Sequence, residues 1–179
     1  MNFTPTSLTG AYVIDVDPIK DDRGFFARSF CQNEFSNLGL KSVIAQSNIS
    51  YNKVKNTLRG MHYQQPPYAE AKLVTCISGS IFDVIIEIRP TSATYMQYFC
   101  CELTSSNRRS IYIPEGFAHG FQTLEDHSEV LYQMFDFFSP SHARGIRWND
   151  ESFNIPWPSS PAVISDKDMS YSDFERADR

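Results

Sequence analysis

The chain carries four histidines, His62, His119, His127 and His142. Two of them sit in apolar, strand-like surroundings. His62 lies in Leu58-Arg59-Gly60-Met61-His62-Tyr63-Gln64, and His119 in Pro114-Glu115-Gly116-Phe117-Ala118-His119-Gly120-Phe121. An imidazole changes charge near neutrality, so it can take or return a proton under ordinary conditions. Taken alone, each histidine is more often a satisfied structural group than a catalyst. Two further ionisable residues interrupt apolar runs, Lys72 in Ala71-Lys72-Leu73-Val74 and Asp83 in Phe82-Asp83-Val84. Gathered in one interior, such groups would suit acid–base work or metal binding.

Those residues need a scaffold, and strand signals dominate the chain. Strands are expected at 11–16, 25–30, 41–49, 57–63, 71–77, 81–88, 96–103, 109–113, 116–123 and 129–137. Many short strands with turn residues between them point to an all-β sandwich or barrel. Residues 33–38 read as a short helix closed by Gly39, which tolerates the left-handed backbone a helix end needs. A second, weak helical stretch is expected after Tyr171. No repeat, low-complexity tract or linker divides the sequence, so residues 1–179 read as one domain.

Ser78-Gly79, between two apolar runs, predicts a two-residue hairpin turn. In that register Val74 faces Asp83 and Lys72 faces Ile85. Lys72, Val74, Cys76, Ile81, Asp83 and Ile85 then share one face. Lys72 and Asp83 become diagonal neighbours, and their pairing would offset the cost of burying either charge. The alternative is that this face meets solvent and the pair is trivial.

Composition narrows the function further. With 41% hydrophobic and 21% charged residues, the 179-residue chain resembles an ordinary globular domain with a real core. Its 14 Phe and 9 Tyr favour strands and an aromatic-lined cavity. A net charge of −5 leaves no excess of Lys and Arg to neutralise a polyanion, which excludes general nucleic-acid binding. A small anionic ligand, which needs only a few cations, still fits. Residues 1–10 lack the basic and apolar regions of a secretory signal, and no apolar run approaches the ~20 residues of a membrane span. Cys31, Cys76, Cys100 and Cys101 form no CxxC pair and read as reduced thiols of a cytoplasmic protein.

Pro114-Glu115-Gly116-Phe117-Ala118-His119 has the Pro-x-Gly-x-x-His spacing of the second motif of cupin barrels. Many cupins bind a metal through a first motif of His-x-His followed by Glu. Here that place holds His62 and then Gln64. Two histidines are too few for a typical three-ligand site, so no metal is expected and acid–base chemistry remains.

Longer motifs now carry a family resemblance. They are Asp22-Arg23-Gly24-Phe25-Phe26, the His62 and His119 segments, Ala71-Lys72-Leu73-Val74, Phe82-Asp83-Val84 and Ile164-Ser165-Asp166-Lys167-Asp168. In order and spacing, from about Thr4 to Asp168, the chain resembles the dTDP-4-dehydrorhamnose 3,5-epimerases. The resemblance implies a cupin-like jelly-roll barrel, a homodimer, and epimerisation of a nucleoside-diphosphate 4-keto sugar without a cofactor. By position it implies that His62 is the base, Asp168 the carboxylate that orients it, and Lys72 the cation at the enolate. Tyr132, in Val130-Leu131-Tyr132-Gln133, corresponds to the acid on the opposite face of the sugar. Asp83 and His119 correspond to a supporting pair, and Arg59 to a diphosphate contact. Gln46 and Asn48 match substrate-binding positions. Arg23 and Phe26 match nucleotide contacts contributed by a partner subunit. One conflict is local: Arg59 and His62 have opposite parity on a regular strand, so a bulge at Gly60 or a place for Arg59 at the rim is required.

The sequence departs from the family outside this inner set. Many members carry Glu where Arg28 stands. The family's Gln-Asp-Asn-His-Ser segment reads Gln46-Ser47-Asn48-Ile49-Ser50, and an expected Tyr is Phe138. Phe138 keeps a stacking face and loses a hydroxyl. Conserved chemistry on an altered nucleotide or sugar is one reading of this pattern. A C3- or C5-only epimerase and a non-catalytic sugar-nucleotide-binding cupin are the alternatives.

Overall fold

The computed structural model describes residues 1–176. In chain order its elements are β1 (Asn2–Pro5), β2 (Tyr12–Asp15), β3 (Ile19–Asp21), β4 (Gly24–Phe26), α1 (Gln32–Asn37), β5 (Gln46–Asn52), β6 (Leu58–Gln64) and β7 (Lys72–Ser78). There follow β8 (Ser80–Glu87), β9 (Tyr98–Thr104), β10 (Ser110–Ile113), β11 (Phe117–Thr123), β12 (Ser128–Met134), β13 (Ala143–Gly145) and α2 (Asp166–Met169). The strands form a six-stranded sheet, β1-β2-β10-β7-β12-β5, and a five-stranded sheet, β13-β6-β11-β8-β9. Among the described residues no helix is long and apolar enough to cross a membrane.

The two sheets lie face to face as a jelly roll, and alternation along each strand fills the space between them. Val74, Cys76, Ile111, Ile113 and Val130 enter this core from one sheet. Ile81, Ile85, Leu103, Phe117 and Phe121 meet them from the other. Each such side chain, removed from water, contributes roughly 1.5–3 kcal/mol. The outer faces are also covered. Phe35 of α1 packs with Leu73, Tyr112 and Phe135 on the six-stranded sheet. Ile146 and Phe153 cover Met61, Val84 and Ile86 on the five-stranded one.

The predicted hairpin at Ser78-Gly79 needs correction. The chain turns there, with Gly79 at φ +72°, but it changes sheet instead of folding back. β7 pairs with β10 and β12, while β8 pairs with β9 and β11. Lys72 and Asp83 are therefore not diagonal neighbours. Their shared inward face survives because residues of both strands point between the sheets. Gly79 is required because a Cβ there would lie 2.5 Å from Ser128 Oγ.

Other boundaries moved as well. The strand expected at 25–30 stops at Phe26, and that expected at 41–49 begins only at Gln46. Leu40 and Ile44 pack instead onto the cluster around Phe35. α1 occupies the predicted place, with Gly39 at φ +71°. The second helix precedes Tyr171 instead of following it, because Ser165 caps α2 by accepting the Asp168 N–H. Residues 171–176 hold no helix, and 177–179 lie outside the described residues.

Candidate active site

β6 and β11 run side by side with His62 opposite His119. The next pair is Arg59 opposite Phe121, so β6 uses one residue more than β11 over the same stretch. This bulge settles the parity conflict: Arg59 and His62 both line the same cavity. Gly60 makes it possible. Its φ is +127°, and a Cβ would stand 2.5 Å from Gly120 Cα.

Behind His62 stands Asp168, with Oδ1 2.7 Å from Nε2. The other oxygen accepts the Gly60 N–H at 3.3 Å. Burial works to raise the Asp168 pKa, but the hydrogen bond and charge of His62 and the Gly60 N–H outweigh it, and the carboxyl is held below its usual range. An ionised carboxylate accepts, so it favours the tautomer protonated at Nε2 and leaves the Nδ1 lone pair free. The Tyr171 ring lies edge-on to the imidazole, with centroids 5.9 Å apart.

The facing sheet supplies the other groups. Tyr132 on β12 lies between Asn48 of β5 and Val74 of β7 in the ladder, and Met134 lies opposite Lys72. The Tyr132 ring meets His119 edge to face at 5.9 Å. Burial pushes its phenol well above the ordinary tyrosine range; the Asp83 charge adds to the shift and Arg59 opposes it. Lys72 Nζ lies 3.0 Å from Glu70 Oε1, and both side chains are almost wholly buried. His119 Nε2 lies 2.7 Å from Asp83 Oδ2.

These groups line a cavity of about 320 Å³ that contains His62, Lys72, Tyr132, His119, Arg59 and Asn48 in its wall. Phe138 stands at its edge, 58% exposed, and its N–H donates to Gln46 Oε1 at 2.6 Å. Arg59 donates to Asn52 Oδ1 at 2.7 Å. Arg23 and Phe26 are not brought to this cavity. They sit on the β3–β4 hairpin, which pairs with neither large sheet. The Arg23 side chain is 89% exposed and paired with Asp21, and Phe26 is 74% exposed. Arg28 pairs with Glu34 at 2.9 Å, so its positive charge is locally compensated. Ser47 and Ile49 alternate with the cavity-lining Asn48 and Ser50, and Ile49 is 64% exposed.

Sequence reasoning missed Glu70, Arg144, Lys167 and Tyr171, which also line the cavity. All four lie outside the predicted strand interiors, where no periodicity says which way a side chain points. Glu70 had one readable signal, its place two residues before Lys72. With Arg59, Lys72, Arg144 and Lys167 in its wall, the cavity is cationic within an acidic chain. Such a site suits a diphosphate. Among the described residues no three His, Cys, Asp or Glu side chains converge as metal ligands would.

The sequence pattern of the dTDP-4-dehydrorhamnose 3,5-epimerase family matches residues 5–176. The epimerase of that name from Shigella flexneri is 41% identical over 179 residues, covering 99% of this chain and 98% of that protein. The one from Escherichia coli strain K12 is 39% identical over 170 residues, covering 94% and 91%. A crystal structure of the Bacillus anthracis epimerase with TDP and PPi bound gives a TM-score of 0.93 at 36% identity, covering 97% of this chain and 99% of that one. The Legionella pneumophila enzyme in complex with dTDP-4-keto-L-rhamnose gives 0.90 at 33% identity, covering 96% and 92%.

Proposed function

The chain belongs to the dTDP-4-dehydrorhamnose 3,5-epimerase family, and from that premise we propose how its own residues carry out the isomerisation. The substrate class is a dTDP-linked 4-keto-6-deoxyhexose, and the reaction inverts C3, C5 or both in deoxysugar precursor synthesis. The C4 ketone acidifies the neighbouring C–H bonds because the carbanion delocalises onto oxygen. His62 Nδ1 takes the proton as the C–H electron pair moves into the enolate. Lys72 meets the negative charge that builds on the C4 oxygen, so it stabilises the transition state more than the ground state. Tyr132 returns a proton to carbon from the other face, and exchange with water resets both groups. The ketone is its own electron sink, so the chemistry calls for no cofactor.

One observation carries this reading. A histidine backed by a buried carboxylate comes from one sheet, and an ammonium and a phenol come from the other, all in the wall of one cavity. The high phenol pKa suits the role of Tyr132, because the hydroxyl keeps its proton until a strongly basic carbanion forms. Arg59, with His119 and its partner Asp83, supports substrate binding, as do Asn48 and Phe138 in the cavity wall and Gln46 through its hydrogen bond to the Phe138 N–H. Turnover in D₂O should load deuterium at C3, C5 or both. Bound substrate with no label at either carbon would overturn the reading, and the pattern of label separates double from single inversion.

The working unit in this proposal is a homodimer of single-domain chains. The β3–β4 hairpin stands off its own sheets with Ile19 and Phe26 largely exposed, ready to place Arg23 and Phe26 at the cavity of a partner subunit. Four free cysteines fit a reducing, cytoplasmic setting.

A further inference from the structure

We infer that Glu70 is a positioning residue for Lys72, setting where the ammonium stands in the cavity. The inference rests on the reading of Lys72 as the cation at the C4 oxygen. Of the basic groups in this cavity's wall, His62, His119 and Lys72 each stand against a carboxylate. Asp168 lies 2.7 Å from His62, Asp83 2.7 Å from His119, and Glu70 3.0 Å from Lys72. The first two pairs involve flat imidazoles on short side chains. Lysine differs, because its four-carbon stem is flexible and its ammonium has no preferred direction of its own.

The Lys72 and Glu70 side chains are 7% and 6% exposed, so the pair is poorly screened. Glu70 is itself held from behind. Its Oε2 accepts from Gln64 Nε2 at 3.1 Å. The Gln64 amide cannot turn over, because its Oε1 accepts the Ser139 N–H at 2.6 Å while Nε2 also donates to Tyr68 O at 2.9 Å. Gln64 therefore presents a donor to Glu70, and both Glu70 oxygens act as acceptors. With one side of Nζ turned to Glu70, the remaining N–H groups are left for the ketone oxygen. Without this hold, the ammonium is free to swing toward the diphosphate of the same substrate, a stronger anion than a ketone. A displacement of about 1 Å at a reacting centre can cost on the order of 100-fold in rate.

A Glu70→Gln substitution removes the charge and leaves one acceptor oxygen where Gln64 and Lys72 each need one, so it breaks one of the two contacts with little change of volume. The experiment is a double-mutant cycle of Glu70→Gln and Lys72→Met, with kcat measured per dTDP-binding site and the sites counted by titration with dTDP. We expect Glu70→Gln alone to lower kcat by roughly 10–100-fold with dTDP affinity preserved, and to cost nothing further in the Lys72→Met background. Normal kcat in Glu70→Gln would overturn the inference. So would an equal loss in both backgrounds, which would make Glu70 a structural residue acting independently. Should Lys72→Met itself turn over like the parent, the role given to Lys72 fails instead, and the two failures are told apart.

Discussion

His62 Nε2 lies 2.7 Å from Asp168 Oδ1, although 106 residues separate the two in sequence. The contact exists because α2 ends the long C-terminal passage directly behind β6, and Ser165 fixes the first turn of that helix. Asp168→Asn keeps the shape and removes the charge, so the tautomer free at Nδ1 is no longer enforced. We expect kcat/KM to fall by about 10²–10⁴-fold, approaching His62→Ala, as measured by steady-state epimerisation.

The same carboxylate ties stability to pH. Its folded pKa is depressed, so its contribution is fully present above the unfolded value of about 3.9 and is lost as pH falls through the folded value. Urea midpoints measured from pH 7 down to pH 3 should therefore decline less steeply for Asp168→Asn than for the parent. Parallel declines would show that Asp168 does not carry this dependence.

Tyr132→Phe separates the two half-reactions. The ring still packs against His119 and Phe121, so folding should be preserved. Proton removal by His62 continues, while delivery from the opposite face is lost. The variant should exchange substrate hydrogen for deuterium in D₂O yet form inverted product about 10²–10⁴-fold more slowly. Unchanged product formation would assign the acid role to another group.

How far the sequence foretold this arrangement differs from residue to residue. The interior strands were legible, because their apolar runs and alternation are set by the two-sheet core. At Ser78-Gly79 the turn was readable and its topology was not. A glycine corner between sheets has the same local chemistry as a hairpin, and only long-range pairing with β10 and β12 distinguishes them. Parity survived that error, so Lys72 and Asp83 were placed inward for the wrong partner. Asp168 was reachable only through resemblance, since nothing local connects a helix turn to a strand so distant in sequence. Glu70 and Tyr171 lie in irregular segments, where side-chain direction follows from tertiary contacts alone.

Gly60 offers a test of the bulge that unites Arg59 and His62. Gly60→Ala places a Cβ at a φ of +127° and 2.5 Å from Gly120 Cα, where backbone must move. We expect a loss of about 2–4 kcal/mol. In a domain of this size that is roughly 5–15 °C in Tm by calorimetry. Gly39→Ala is the control. Its φ is also positive, but nothing lies within 4 Å of the added carbon, so only the backbone strain applies and the loss should be smaller.

Arg23 and His62 test the dimer, because the proposal assigns them to one site from two different chains. Assayed with substrate well below the raised KM, Arg23→Ala and His62→Ala should each be nearly inactive, for unrelated reasons. Arg23→Ala should raise KM and leave the chemistry intact; His62→Ala should abolish proton transfer and keep dTDP affinity. When the two are unfolded together and refolded as a mixture, half of the dimers carry one chain of each kind. In such a dimer one cavity holds both defects and the other holds none. Activity should then recover to about a quarter of the parent value, which neither variant approaches alone. No recovery, with mixed dimers confirmed by mass, would mean that Arg23 serves its own chain or none.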